Sequence, residues 1–378
     1  MIYLDHAAAT PVSDKVLEAM RPYFGAEFFN PSAAYLPAKK VSADYDKAKG
    51  VIAHAIGAKT SDLIITAGAT EANNLAFTAI SLDGSMLYLE TEHDSVRRAA
   101  ESYGGKAIRV LPTGLIDLDD LRNKITDETE LISVSLANNE LGTIQPLAEI
   151  AGIIRDVKFD RLKRGIKRQL LLHSDASQAL NLLDISVARL GVDLLTLNAA
   201  KVYGPKGVGA LYVAHGVKLK PLTVGGGQEN GLRSGTENVP GVIGFAKAVE
   251  LAKEHLNGNR KKYANWRKLL LSELKDYELV NKKHSLDNFV VLMFEGLDAE
   301  RLIYLLEEKE VYVATGAACA ASKGKKSHVL KAIGLTDAQI AGSLRLTLGE
   351  TNTEKQIKEA VRIINEMIKA ERKRISLE

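Results

Sequence analysis

Between residues 63 and 198 two hydrophobic patterns alternate along the chain. Short, continuously apolar runs (LIIT, MLYLE, IRVL, LISVS, LLLHS and LLTLN) read as strands. Most are separated by stretches such as TEANNLAFTAI and LAEIAGIIRDV, whose apolar residues recur at a spacing near 3.6 and so predict helices. Strands without polar alternation, interleaved with helices, imply a mainly parallel sheet covered on both faces. Beyond about residue 240 the pattern changes. Two long helical stretches, 240–256 and 259–276, lead to NFVVLMF, the helix AERLIYLLEE, then VYVATG, SLRLTL and a terminal helix at 353–374. The expectation is an α/β protein with a large domain at 15–255. A smaller α/β domain is expected from 1–14 together with 256–378.

Composition narrows the partners. The 378 residues, 46% hydrophobic and 26% charged, suffice for two domains and a large core. Fifty basic against 47 acidic residues leave a net charge of +3, too balanced for direct nucleic-acid binding. No apolar run approaches the roughly 20 residues of a membrane span, so no membrane partner is expected. The start MIYLDHAAATP lacks the basic and apolar regions of a signal peptide. A single cysteine, Cys319, allows no internal disulfide and fits a reducing compartment, so a cytoplasmic location is expected. The run RDVKFDRLKRGIKRQ (155–169), with Phe159 its one aromatic, is expected to be a solvated helix end and loop.

Candidate chemistry concentrates after the apolar runs, where α/β sheets place ligands. LIIT is followed by AGATEANN, a small-residue turn opening a helix whose free N–H groups suit a phosphate. MLYLE is followed by His93, LISVS by Asn138 and Asn139, LLLHS by Asp175 and Gln178, and LLTLN by Lys201. In NAAKVYGPKGVGALYV, Lys201 is either a solvated turn lysine or an amine nucleophile held in a pocket. No G-x-G-x-x-G follows the first strand, which disfavours a dinucleotide site. A lysine, a carboxylate, a stacking ring and a helix N-terminus are together what pyridoxal 5′-phosphate requires. The glycines beyond Lys201 let the backbone pass close to such a cofactor.

The motifs YLDHAAATPV, FFNPSA, TAGATEANNLA, TEHDSV, NNELGTIQ, HSDASQAL, AKVYGPKGVGALYV, GGGQENGLRSGTENV, GAACAASKGKKSHVLKAIGL and SLRLTLGETNT run in order through nearly the whole chain. As a set they resemble the cysteine desulfurases, class V aminotransferase-like enzymes of pyridoxal phosphate fold type I, in the group serving iron–sulfur cluster assembly. The resemblance implies a homodimer that takes sulfur from L-cysteine, leaves L-alanine, and hands sulfur to an iron–sulfur scaffold or another acceptor protein. Lys201 matches the Schiff-base lysine, His93 the stacking ring that handles protons, and Asp175 the pyridine-nitrogen partner. Gln178 matches the hydrogen bond to the cofactor's phenolic oxygen, and Ala69 and Thr70 match the phosphate cradle. Thr236 matches a phosphate contact from the second subunit. Asn30, Asn139 and Arg345 match the substrate-carboxylate site. Cys319 matches the nucleophile that becomes a persulfide. No resident metal is implied, and contact of Cys319 with a nascent iron–sulfur cluster is the one metal interaction expected.

The residues around Cys319 agree, since small residues with glycine and three following lysines read as a mobile, exposed loop that favours the thiolate. Four departures stand out. The family usually places a serine and a histidine, both touching phosphate, where this chain has Asn198 and Ala200. Asn198 can still donate a hydrogen bond. Ala9 replaces a common threonine, and 155–169 looks like an insertion of roughly ten residues, a length surface loops tolerate. The rival readings are a selenocysteine lyase or other β-elimination, an aminotransferase in which Cys319 has no task, and a non-catalytic scaffold.

Overall fold

The computed structural model describes residues 1–315 and 326–376. After a short strand β1 (Ile2–Tyr3) come β2 (Leu63–Thr66), β3 (Ser85–Leu89), β4 (Lys106–Ile108), β5 (Thr129–Ser133), β6 (Leu171–Asp175), β7 (Leu194–Asn198) and β8 (Gly209–Val213). These last seven form one sheet in the order β2-β8-β7-β6-β5-β3-β4. The pairs from β4 through β3, β5 and β6 to β7 are parallel, and β8 alone runs against its neighbours β7 and β2. The absence of polar alternation follows from burial on both faces. Ile64, Met86, Tyr88, Leu131, Leu171 and Leu194 pack with Leu75, Phe77 and Val96 of the helices Ala69–Phe77 and Asp94–Ser102. The alternate residues Leu63, Ile65, Leu87, Leu89, Ile132, Leu172 and Leu195 face the other way, into a core shared with the helices Leu36–Ala55, Leu147–Lys163 and Val239–Glu273. A period-2 pattern disappears when both sets are apolar.

The remainder adds β9 (Glu278–Leu279), β10 (Phe289–Met293), β11 (Val311–Tyr312), β12 (Ala314–Thr315) and β13 (Ser343–Thr347). A four-stranded antiparallel sheet has the order β12-β13-β10-β9, and β1 pairs in parallel with β11. Asp5 continues the link by bridging Thr347. The first residues of the chain therefore lie against its last third, a pairing across more than 300 positions.

Two local expectations are corrected. The two helices expected at 240–256 and 259–276 are one 35-residue helix, Val239–Glu273. It runs through Asn257–Gly258 and across the expected division at 255/256. A glycine in a helix costs about 1 kcal/mol, less than is gained by burying Phe245, Val249, Tyr263, Trp266 and Leu270 along the same helix. VYVATG is not one strand, because the chain leaves β1 after Tyr312 and joins β13 from Ala314. The run 155–169 is the helix end and loop expected, with most of its residues exposed and Arg161 the exception. Arg161 is buried and donates to the carbonyl oxygens of Thr126 (2.6 Å) and Thr129 (2.8 Å). Arg164 pairs with Asp127, and Arg168 with Asp83 and Glu130.

Candidate active site

A cavity of about 850 Å³ opens at the carboxyl ends of β2, β3, β5, β6 and β7. Ala69, Thr70, His93, Asn139, Asp175, Gln178, Asn198, Ala200, Lys201 and Arg345 all line it. Ten positions drawn from six separate motifs thus share one wall. Asn30 and Thr236 do not line it, and both are exposed. Cys319 lies outside the described residues.

The phosphate cradle is built by a sharp turn. Gly68 precedes the helix Ala69–Phe77 with φ of 145°, which side chains rarely adopt. A Cβ on Gly209 of β8 would sit 2.8 Å from the Gly68 backbone, so glycine there permits the strand and turn to touch. The first N–H groups of the helix have no partner within it and face the cavity side of its dipole. Asn198 accepts from the Ala200 N–H (3.2 Å) through its Oδ1, which caps the turn Ala199–Lys201. Its amide Nδ2 makes no protein hydrogen bond among the described residues, so a donor remains where Ala200 offers none.

Asp175 ends β6 on the cavity floor, with Oδ2 accepting from Asn73 Nδ2 (2.9 Å) and Oδ1 from the Ser177 N–H (2.9 Å). Beneath it His173 is fully buried between Ser133 Oγ (2.8 Å) and Thr196 Oγ1 (3.1 Å). Burial pushes its ring down to about 4, the Asp175 charge opposing this, so it stays neutral at pH 7. Lys201 Nζ donates to the carbonyl oxygens of Ala7 (2.8 Å) and Ala8 (2.5 Å), and Gln178 Nε2 also donates to Ala7 O (3.0 Å). The N-terminal AAA segment thereby holds both side chains at the cavity.

Arg345, on β13, is buried and donates from Nη1 to Asn139 O (2.7 Å) and from Nη2 to Asp5 Oδ1 (2.6 Å). A guanidinium has five N–H donors, and Nε, although buried, has no partner among the described residues. His93 caps the helix Asp94–Ser102, its Nδ1 accepting from the Ser95 N–H (3.1 Å).

Sequence reasoning passed over four residues of this site: Asp5, Glu92, Glu140 and His328. Glu92, Glu140 and His328 line the cavity, while Asp5 is the counter-ion of Arg345. Glu92 is fully buried, with Oε1 accepting from the Ser135 N–H and Oε2 without a partner among the described residues. Burial holds its carboxyl well above the usual range, and the Asp175 charge adds to this. Glu140 accepts from Ser327 Oγ (2.5 Å), and burial raises its carboxyl to about 7. The signal available was position, since Glu92 and Glu140 adjoin His93 and Asn139 in TEHD and NNELG. Burial of an acid is not readable from the motif.

The class follows from the whole chain: residues 2–359 match the aminotransferase class-V family model, and the chain belongs to that family. Among individual relatives, the protein called cysteine desulfurase IscS of Clostridium botulinum (strain Hall) is 36% identical over 98% of this chain and 95% of its own length. The cysteine desulfurase IscS of Methanosarcina thermophila is 37% identical over 97% of this chain and 92% of its own. A solved structure described as a NifS-like protein superposes with a TM-score of 0.89 at 31% identity, covering 97% of this chain and 99% of that one.

Proposed function

We propose that this protein is a pyridoxal-phosphate-dependent cysteine desulfurase, converting L-cysteine to L-alanine and leaving sulfur as a persulfide on Cys319. The observation that carries the reading is one cavity holding Lys201, Asp175, His93, Arg345 and the N-terminus of the helix Ala69–Phe77. The donor set fits the cofactor: an amine, a buried carboxylate already fixed by two N–H donors, and a helix N-terminus flanked by an uncommitted amide, Asn198 Nδ2. When bound, pyridoxal phosphate supplies an aldehyde that takes up amines and an electron-withdrawing ring that acidifies the substrate's Cα–H.

Lys201 would hold its carbonyl carbon, Asp175 its ring nitrogen and Gln178 its phenolic oxygen. Ala69, Thr70, Asn198 and Thr236 of a second subunit would hold its phosphate. To hold it, Lys201 would give up the carbonyls of Ala7 and Ala8, and Gln178 that of Ala7. Arg345 gathers the substrate carboxylate with donors left over from Asp5 and Asn139, and Asn30 joins it from the surface. Asp5 keeps the guanidinium compensated before substrate arrives, which limits the cost of burying a cation. His93 presents Nε2–H to the cavity because its Nδ1 is committed to the helix cap. The rival aminotransferase reading gives Cys319 nothing to do.

The partners follow from the same reading: a second copy of this chain, L-cysteine, and an acceptor protein that delivers sulfur to iron–sulfur clusters or other sulfur-containing cofactors. The division into 15–255 and 1–14 with 256–378 separates the cofactor-holding sheet from the part that carries Arg345 and Cys319. The test is release of alanine and sulfide from L-cysteine with a reductant present. Borohydride treatment of the purified protein should fix the cofactor to the peptide containing Lys201, and Lys201→Ala should abolish that label. A label on another lysine overturns the assignment.

A further inference from the structure

We propose that His328 is a second proton acceptor of the cavity, taking the proton that the ammonium group of an incoming amino acid must lose before it can act as a nucleophile. The inference rests on the amino-acid substrate proposed above. His328 opens the helix His328–Ala332 and lines the same cavity as His93. Its Nε2 lies 2.9 Å from the carbonyl oxygen of Glu92. A carbonyl only accepts, so Nε2 carries the hydrogen and the neutral ring keeps its lone pair on Nδ1. Among the described residues Nδ1 has no hydrogen-bond partner, and the ring is only half-buried.

His93 is arranged the opposite way. Its Nδ1 accepts from the Ser95 backbone N–H, so the neutral ring has its hydrogen on Nε2 and offers no lone pair unless the cap breaks. The two imidazoles thus divide the work by tautomer: His93 donates and His328 accepts.

Position supports the role. The preceding residue, Ser327, caps the same helix through Leu330 N–H (3.0 Å) and donates to Glu140, whose carboxyl feels the charge of Arg345. His328 is therefore tied by its neighbour to the carboxylate-gathering side and by its own ring to the segment carrying His93. An α-ammonium is one carbon from the carboxylate that Arg345 would hold. The groups facing the ring are His93, Asp94 and Arg97, besides the Glu92 carbonyl; burial, helped by the charges of Arg97 and His93, outweighs the Glu92 carbonyl and Asp94 and lowers its proton affinity below that of an ordinary histidine. The ring is neutral at pH 7 and ready to accept. In the step, an N–H bond of the ammonium breaks and its electron pair stays on nitrogen. The proton bonds to Nδ1, giving an imidazolium beside Asp94 that later releases it to water.

His328→Gln keeps an N–H donor for the Glu92 carbonyl but has no basic nitrogen, whereas His328→Phe loses both. With the cofactor-loaded dimer and L-cysteine, His328→Gln should lower kcat/KM about 100-fold near pH 7. The deficit should shrink as pH rises and water-borne base deprotonates the substrate. Separately, long-range ¹H–¹⁵N spectra of histidine-labelled protein should show His328 as the Nε2–H tautomer, titrating below 6.5. His328→Gln within about twofold of wild type across pH, with only His328→Phe impaired, would reduce His328 to a structural role and overturn the proposal. An Nδ1–H tautomer would overturn it too. If wild-type protein released no alanine from L-cysteine, the functional reading would fall, and the tautomer spectrum alone would judge His328.

Discussion

Glu140 shows how a single buried carboxyl sets a pH dependence. Its native-state value of about 7 lies above the ordinary 4.5, so between those values the folded protein binds a proton that the unfolded chain has released. The sign is therefore fixed: stability contributed by this group is present below 4.5 and is lost as pH rises toward 7 and beyond. The raised value corresponds to roughly 3 kcal/mol. Glu140→Gln removes the titrating proton while keeping an acceptor for Ser327 Oγ. Urea midpoints measured from pH 5 to 8 should fall less steeply for this variant than for wild type. Parallel curves would show that Glu140 ionises as freely in the fold as in the unfolded chain. Buried Glu92 shifts in the same direction, so the variant retains part of the slope. None of this was legible in TEHD or NNELG. Those motifs located the residues, but the burial that raises both carboxyls belongs to the assembled fold, and the Ser327 hydroxyl and Arg345 charge that oppose it at Glu140 lie nearly 200 positions away or more.

The long helix Val239–Glu273 marks where local sequence misleads at the scale of an element. Asn257–Gly258 reads as a stop, yet tertiary packing on either side overrides it. Gly258 is not among the residues with positive φ, and a Cβ added there meets nothing within 4 Å. Gly258→Ala should therefore raise stability by about 0.5–1 kcal/mol in a denaturant melt, by lowering the entropy of the unfolded chain. A destabilised variant would mean that the helix breaks at 257–258. The strands of the large sheet were far more legible, because their short runs carry consecutive apolar residues that pack into cores on both faces, and runs this short between turns favour strand over helix. The run VYVAT shows no break in its local pattern, yet Val311–Tyr312 and Ala314–Thr315 pair with different strands. The switch from β1 to β13 at Val313 depends on partners from the two ends of the chain.

At the scale of the whole molecule, the cavity is assembled by one chain from segments between Ala7 and Arg345, yet two positions implicated by resemblance stay outside it. Asn30 and Thr236 are exposed, and Asn30 sits among Phe24 (70% exposed), Phe28 (70%), Tyr35 (53%) and Leu36 (80%). Large apolar side chains clustered at a surface favour a covered interface. Light scattering should give the mass of two 41.0 kDa chains. Phe28→Asp should shift the protein toward monomer and lower desulfurase activity at least tenfold. A monomer with full activity at high dilution would refute the shared site. The order of motifs made the cavity's membership visible in the sequence. The hydrogen bonds that aim each group, such as Asp5 to Arg345 or Ala7 to Lys201, join residues too distant along the chain for any local pattern to pair.

The most direct test of the central claim is the fate of sulfur. Purified protein incubated with L-cysteine, alkylated and digested should carry one additional sulfur on the peptide containing Cys319, with alanine formed alongside it. Cys319→Ser should lose that sulfur while keeping the borohydride label on Lys201. Near wild-type sulfide release from Cys319→Ser, or a wild-type Cys319 peptide free of added sulfur during turnover, would contradict the account.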